Sequence, residues 1–269
     1  MTTRDIDAAL QGARRCLLAS RTPDGPAMAP AAFWFDGHAL WLLAPSDDGP
    51  LDRLRADPAC AVYVPPASVG QPAVVARGLA RRYAIDDPLA LLLHGPTISA
   101  AVTALTLKQT AASLRGSVRD LTPLPSAATR AVVRVALADA VAVDLPSPGA
   151  GVAPALPRVI PAEVRRELAG RRRVVVAWQE DDLRIGPAVW SGDAALEHVP
   201  ELVGRDTPSV AVGVDADEQD LLTGAVTVSL QGPLVGGRLQ PRQVTWWHGR
   251  SRGSATVPDE VPGAVELPD

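Results

Sequence analysis

Lysine is nearly missing from this chain. Of 26 basic residues one is lysine, Lys108, and the rest are arginine. Aromatic residues are scarce as well, at 4%. The surplus of Ala, Arg and Pro is the signature of GC-rich coding. The two cysteines, Cys16 and Cys60, form no CxxC pair, which excludes a disulfide framework. Four histidines (His38, His94, His198, His248) are spread too widely for metal-ligand spacing. No apolar run approaches the ~20 residues that span a bilayer. The start, MTTRDIDAALQGARR, has acids and no apolar stretch, so it does not read as a secretory signal. A net charge of −4 and a pI near 5.6 argue against a non-specific nucleic-acid binder. The expectation is a cytoplasmic protein that binds neither membrane nor nucleic acid.

What is present is a chain of 269 residues, 47% hydrophobic and 21% charged. It is long enough for one large domain or two small ones, with a core that needs no staples. Residues 4–13 read as a short helix, with Ile6, Leu10 and Ala13 at helical spacing. ARRCLLAS and PAMAPAAFWF read as strands joined by the turn Pro23-Asp24-Gly25. Asp36-Gly37 is a two-residue hairpin signal leading into HALWLLAP. SDDGPLDRLRADP reads as a helix capped by Asp48 and stopped at Asp57-Pro58. ACAVYV and AVVARGLARRYA are strands, and Gly78 marks a bulge or a close approach. A helical insert at 86–119 and a long strand at 130–144 follow.

Residues 145–160, LPSPGAGVAPALPRVI, read as a linker. Its GAGVAP is only superficially a dinucleotide loop, because Pro154 stands in place of the third glycine and no helix starts there. PAEVRRELAGR is then a helix. RRVVVAWQ, RIGPAVW, PSVAVGVD, LLTGAVTVSLQGPL and RQVTWWHG are strands. SRGSATVPDEVPGAVELPD reads as a polar, proline-bearing tail.

The two halves share an order of events. RRCLLAS matches RRVVVAWQ, GPAMAPAAFW matches RIGPAVW, RADPACAVYV matches RDTPSVAVGV, and VVARGLARR matches VSLQGPLVGGR. Trp34 aligns with Trp190, and Gly78 with Gly232. Ordered matches at nearly constant offset point to a duplicated unit, against chance similarity of Val-rich strands. A duplicated barrel within one chain imitates a symmetric homodimer.

CLLASRTPDGPAMAPAAFWFDGHALWLLAPS, LDRLRADPACAVYV and VVARGLARRYAIDDP carry a further signal. In that order and spacing they resemble the FMN-binding split barrels of the pyridoxamine 5′-phosphate oxidase-like superfamily. Pro23, Asp24, Gly25, Pro26, Pro30, Asp36, Gly37, Leu54, Arg55, Asp57, Pro58, Gly78 and Ala80 match its pattern. The likeness covers residues 14–88 well and 130–144 loosely.

The resemblance implies a mainly β fold with helices (α+β), built as two tandem split β-barrel repeats that form a pseudo-dimer. The first domain would be 1–144 with its insert at 86–119. The second, degenerate domain would be 161–269. The resemblance also implies FMN or a deazaflavin at a dimer interface and hydride transfer to a small molecule. The cofactor-binding residues it implies are Ser46, Arg53, Arg77, Met28 and Pro30. Further pairing into a homodimer is compatible with it.

The sequence departs from the family at the phosphate clamp. The family's usual lysine falls on Pro50 and the preceding arginine on Gly49, while Asp47, Asp48 and Asp52 add negative charge. Each nearby carboxylate opposes a phosphate by about 1 kcal/mol. This keeps open a non-catalytic binding protein of the same fold. For Arg77 and Arg81, surface solvation with a packed aliphatic stem is the plain alternative. Haem held by His94 or His248 is a further alternative; a helix-end role for His94 and barrel closure by Trp246 and Trp247 compete with it. Cys16 and Cys60 read as a redox pair or as two buried structural thiols. No Ser-His-Asp order, phosphate loop or paired-carboxylate site stands out. In this family the flavin carries the redox chemistry, so few catalytic side chains are expected.

Overall fold

Two hairpins written plainly in the sequence start the fold. Strands β1 (Arg15–Thr22) and β2 (Gly25–Phe35) pair antiparallel across the Pro23-Asp24 turn. Thr22 Oγ1 donates to the Gly25 carbonyl at 2.7 Å and accepts the Asp24 N–H at 3.2 Å. Gly25 sits at φ +109°, where a side chain would be strained. β2 then turns at Asp36-Gly37 into β3 (Ala39–Pro45). Asp36 holds that turn, accepting the N–H groups of His38 (2.8 Å) and Ala39 (2.7 Å) and the Trp41 indole N–H (2.7 Å). The computed structural model describes residues 3–45, 53–68, 70–84, 95–96, 98–105, 130–215, 226–248 and 251–258.

β4 (Ala59–Val64), β5 (Ala73–Ala84) and β6 (Arg130–Val143) complete a closed barrel in the order β1-β2-β3-β6-β5-β4. Alternation fills it. Cys16 and Leu18 of β1 and Cys60, Val62 and Val64 of β4 point inward onto Phe33, Leu40, Leu42, Val133 and Val135. Helix α1 (Thr3–Gly12) adds Ala9 and Leu10 to this core, and Leu54 joins it. A helical segment at 98–105 lies on the outside, where Ile98 and Ala101 cover Trp41, Tyr83 and Val132. The rest of the expected insert, and the start of the expected helix before residue 53, lie outside the described residues.

The second half is a sheet of eight strands. β7 (Arg173–Gln179), β8 (Leu183–Trp190), β9 (Leu196–Glu197), β10 (Thr207–Asp215), β11 (Val226–Val235), β13 (Gln243–His248) and β14 (Ser251–Thr256) run in the order β14-β13-β11-β10-β7-β8-β9. β12 (Arg238–Leu239) pairs off this path with β11. Helix α2 (Ala162–Glu167) packs Val164 into the core. The expected polar tail is corrected here, because Ser251–Thr256 forms β14 against β13. Ser and Thr alternating with Gly and Ala suit an exposed edge strand that no apolar pattern announces.

Strand order is common to both halves. Reading β7, β8, β9, β10, β11 and β13 as β1 to β6 reproduces the barrel's neighbours. The β3–β6 pairing that closes the barrel has no counterpart among the described residues. Gly78 faces Cys60 and Gly232 faces Val210, the same place on corresponding strands. Each glycine presses on a carbonyl, of Ala136 and of Gln240, where a Cβ would collide. The tryptophan match shifts by one. β1–β2 register sets Arg15 opposite Ala32, and β7–β8 register sets Arg173 opposite Val189, so Trp190 corresponds to Phe33. Both are core residues, whereas Trp34 faces outward, since one step along a strand reverses the face.

Burial works to raise the Asp36 pKa, but the Trp41, His38 and Ala39 hydrogen bonds and the Arg134 charge hold it below its ordinary value. Its contribution is therefore complete above the unfolded value of about 3.9 and is lost as pH falls through the lower folded value. Asp36→Ala is expected to cost about 2 kcal/mol at neutral pH. In denaturant titrations the gap to the parent should narrow below about pH 4.

Candidate functional site

The two halves meet through the outer faces of corresponding strands. Leu17 and Ala19 of β1, with Ala61 and Tyr63 of β4, pack against Val175 and Ala177 of β7 and Ala211 of β10. Met28 and Ile185 lie in the same cluster. Register makes the contact self-matching. Ala19 stands between Met28 and Ala61, and Ala177 stands between Ile185 and Ala211. One step along, Leu17 stands between Pro30 and Tyr63, and Val175 between Pro187 and Gly213.

The hairpin tips are exchanged in the same sense. Gln231 donates to the Asp24 carbonyl at 3.1 Å, and Arg77 donates to Asp182 at 3.1 Å. Gln231 and Arg77 each precede one of the matched glycines. Each reaches the first hairpin turn of the other half, as in an isologous dimer.

A cleft of about 500 Å³ opens at this interface. All six members of the two triads line it: Leu17, Pro30 and Tyr63 from one half, Val175, Pro187 and Gly213 from the other. The linker closes one side with Leu145, Pro146, Pro148, Gly149 and Gly151. Arginines fix it there. Arg172 donates to the Pro148 carbonyl and, at 3.3 Å, to that of Trp190; Arg173 Nε donates to the Pro146 carbonyl at 3.2 Å. Gly213 fits closely, since a Cβ there would lie 3.1 Å from Met28 Sδ and 3.2 Å from Leu17 Cδ1.

The cleft is cationic. Among the described residues, Arg15, Arg171, Arg172 and Arg173 line it against one carboxylate, Asp215. Arg15 is the unusual member. Its side chain is 5% exposed and pairs through Nη2 with Asp215 of the other half. Its Nε and Nη1 are buried without an acceptor. Leaving a charged donor unsatisfied in the interior is costly, so such atoms mark a place for a ligand. Asp215 also accepts from Thr227 Oγ1 at 3.3 Å. Arg171 and Arg173 are exposed.

The sequence-predicted residues divide. Pro30 lines the cleft, and Met28 is buried beside it in the interface. Arg77 is elsewhere, bound by Asp139 and Asp182 on an exposed surface. Its hydrogen bond to Asp139 holds that carboxyl below the usual range against the opposing pull of desolvation. Arg77 is thus an interface residue whose charge is already matched. Arg53 is exposed beside the buried Leu54 and is not among the cleft residues. Ser46 and His94 lie outside the described residues. His248 ends β13, half-buried and away from the cleft. Arg15 and Arg171–Arg173, which line the cleft, are not among the sequence-predicted residues. Their signal lies in the paired arginines that open RRCLLAS and RRVVVAWQ.

Cys16 and Cys60 are free and buried in the barrel core. Burial pushes the Cys16 thiol far up and the Cys60 thiol up to about 12. Cys60 donates to the Gly78 carbonyl at 3.5 Å. Among the described residues no group of three or more His, Cys, Asp or Glu is placed to hold a metal. Nor is any helix among them long and apolar enough to cross a membrane.

No family model matches the chain, and no curated protein matches it. Solved structures do. A FAD-binding protein from Mesorhizobium loti is similar at 16% identity and a TM-score of 0.42, over 52% of this chain and 92% of that one. An F420 reductase is similar at 21% identity and a TM-score of 0.36, over 50% and 94%. A pyridoxamine 5′-phosphate oxidase-related, FMN-binding protein from Nostoc punctiforme is similar at 15% identity and 0.37, over 51% and 81%.

Both thiols are expected to stay protonated and shielded at pH 8. A disulfide-exchange reagent should find no reactive thiol in the native protein and two after denaturation. Rapid reaction of either thiol in the native state contradicts their burial.

Proposed function

We propose that the chain is an oxidoreductase that binds FMN or a deazaflavin in the cleft between its halves and passes hydride to or from a small molecule. The observation that carries this reading is the buried Arg15, which lines a cleft of about 500 Å³ at the inter-half contact and keeps two buried donors without acceptors. That volume is within the ~300–1,000 Å³ of small-molecule and cofactor sites. Its wall combines apolar surfaces with a few placed polar groups, which suits a planar ring system.

The residues present fit such a group. Tyr63, Leu17, Pro30, Val175 and Pro187 offer apolar contact, Arg15 offers buried donors, and Arg171 and Arg173 offer positive charge. Bound there, the flavin or deazaflavin supplies the hydride chemistry. The chain's own part is to hold the ring, match its polar atoms and keep water from it. The two halves are read as tandem copies of one unit, on the strength of their common strand order and the exchanged hairpin contacts.

A second reading is a binding protein without catalysis. It is favoured by the fate of Arg77, which is expected to bind the cofactor and which two carboxylates occupy instead.

The test is the absorbance spectrum of the purified protein, followed by titration with FMN and with a deazaflavin. A bound chromophore, or saturable binding with a shifted visible band, supports the first reading. Binding without reduction by nicotinamide hydride donors or by substrate-sized reductants favours the second. A colourless protein that binds neither cofactor overturns the flavin assignment.

A further inference from the structure

Resting on the cleft as a flavin or deazaflavin site, we propose that Arg15 receives the pyrimidinedione edge of the ring, and that the exposed Arg171 and Arg173 receive the phosphate. The ligand then lies ring inward, with its charged end at the rim. This reverses the expectation that the most prominent arginine of a cofactor site holds the phosphate.

Three observations set this orientation. First, Arg15 arrives with its charge matched. Its Nη2 is paired with Asp215, so the buried pair is neutral overall while Nε and Nη1 still lack acceptors. A phosphate dianion placed there faces the Asp215 carboxylate and must also shed its water in a buried site. Both effects oppose it. A ring carbonyl takes the same N–H groups without adding a charge, and the loss of its hydration is far less costly.

Second, the walls nearest in register are apolar. Leu17, Pro30 and Tyr63 face Val175, Pro187 and Gly213 across the interface. This is the surface an aromatic ring system stacks on.

Third, apart from the half-buried Arg172, which the Pro148 and Trp190 carbonyls engage, the remaining positive charge is exposed. Arg171 and Arg173 are exposed, unlike Arg15. An anion held there keeps part of its hydration while gaining charge-assisted contacts.

The experiment compares FMN with riboflavin, which has the same ring and lacks the phosphate. Binding is read from quenching of flavin fluorescence and from the shift of the visible band. The proteins are the parent, the neutral-pair variant Arg15→Met with Asp215→Asn, and the rim variant Arg171→Ser. The paired change avoids leaving an uncompensated carboxylate. Thermal unfolding checks that it remains native. If it does not fold, Arg15→Lys takes its place, because lysine keeps the charge and loses the Nε–H and Nη1–H donors.

The expected result is a loss of about tenfold or more for both ligands in the Arg15 variant. The rim variant should weaken FMN several-fold and leave riboflavin unchanged. An Arg15 variant that weakens FMN and spares riboflavin places the phosphate at Arg15 and overturns the proposal. Unchanged binding of both ligands overturns it as well. A parent protein that binds neither FMN, riboflavin nor a deazaflavin removes the flavin reading itself. That outcome is distinct from flavin binding that ignores Arg15.

Discussion

The face-to-face contact between β1–β4 and β7–β10 governs the rest of this molecule. Four alanines, Ala19, Ala61, Ala177 and Ala211, are fully buried there. Side chains of one carbon let two sheets approach closely, and the larger Leu17, Met28, Tyr63 and Ile185 fill the space around them. Because each strand alternates, the same strands line a separate core on their other face. An insertion that shifted β1 or β7 by one residue would exchange core and contact face together. The contact thus constrains both halves at once. It also fixes where a cleft can open, which is where the alanine packing ends and the Leu17 and Val175 triads begin.

Charge follows from that contact. Arg15 and Asp215 come from different halves, 200 residues apart in sequence, and meet only when the halves close. Each would be costly to bury alone. Their pairing therefore couples the association of the halves to the cleft's electrostatics. The linker acts in the same direction. Arg172 and Arg173 bind its carbonyls, so the chain that joins the halves also walls the cleft. A covalent connection makes the contact intramolecular, and its closure does not depend on protein concentration.

Much of the barrel was legible in the sequence. Pro23-Asp24-Gly25 and Asp36-Gly37 gave the hairpins because positive φ at Gly25 and Gly37 leaves few alternatives. Gly78 was legible as a close-approach point, and its counterpart Gly232 was found by the repeat. Strands β7, β8, β10, β11 and β13 of the second half were legible as well. Its open path among the described residues was not, since Leu196–Glu197 is too short a strand to announce itself. β14 was hidden because its inner face carries only Gly253 and Ala255, too small to write an apolar pattern.

The site was less legible. Met28 and Pro30 are at or beside the cleft, but Arg77 is not, since the turn residues that bind it are far away in sequence. Arg15 could be ranked only by knowing which strand face meets the other half. Arginine pairs opening two matched strands were the available clue, and a chain with so many arginines obscures it.

Tyr63 and Gly213 occupy corresponding positions, one bulky and one bare. Two identical subunits cannot arrange this, because every change in one appears in the other. A chain that carries both halves is released from that rule, so each half answers to its own mutations. One half can fill space while the other yields it, and the shared cleft need no longer be two half-sites of equal worth. The matched triads are the symmetric part of this contact, and Tyr63 against Gly213 is a register position where the symmetry is broken.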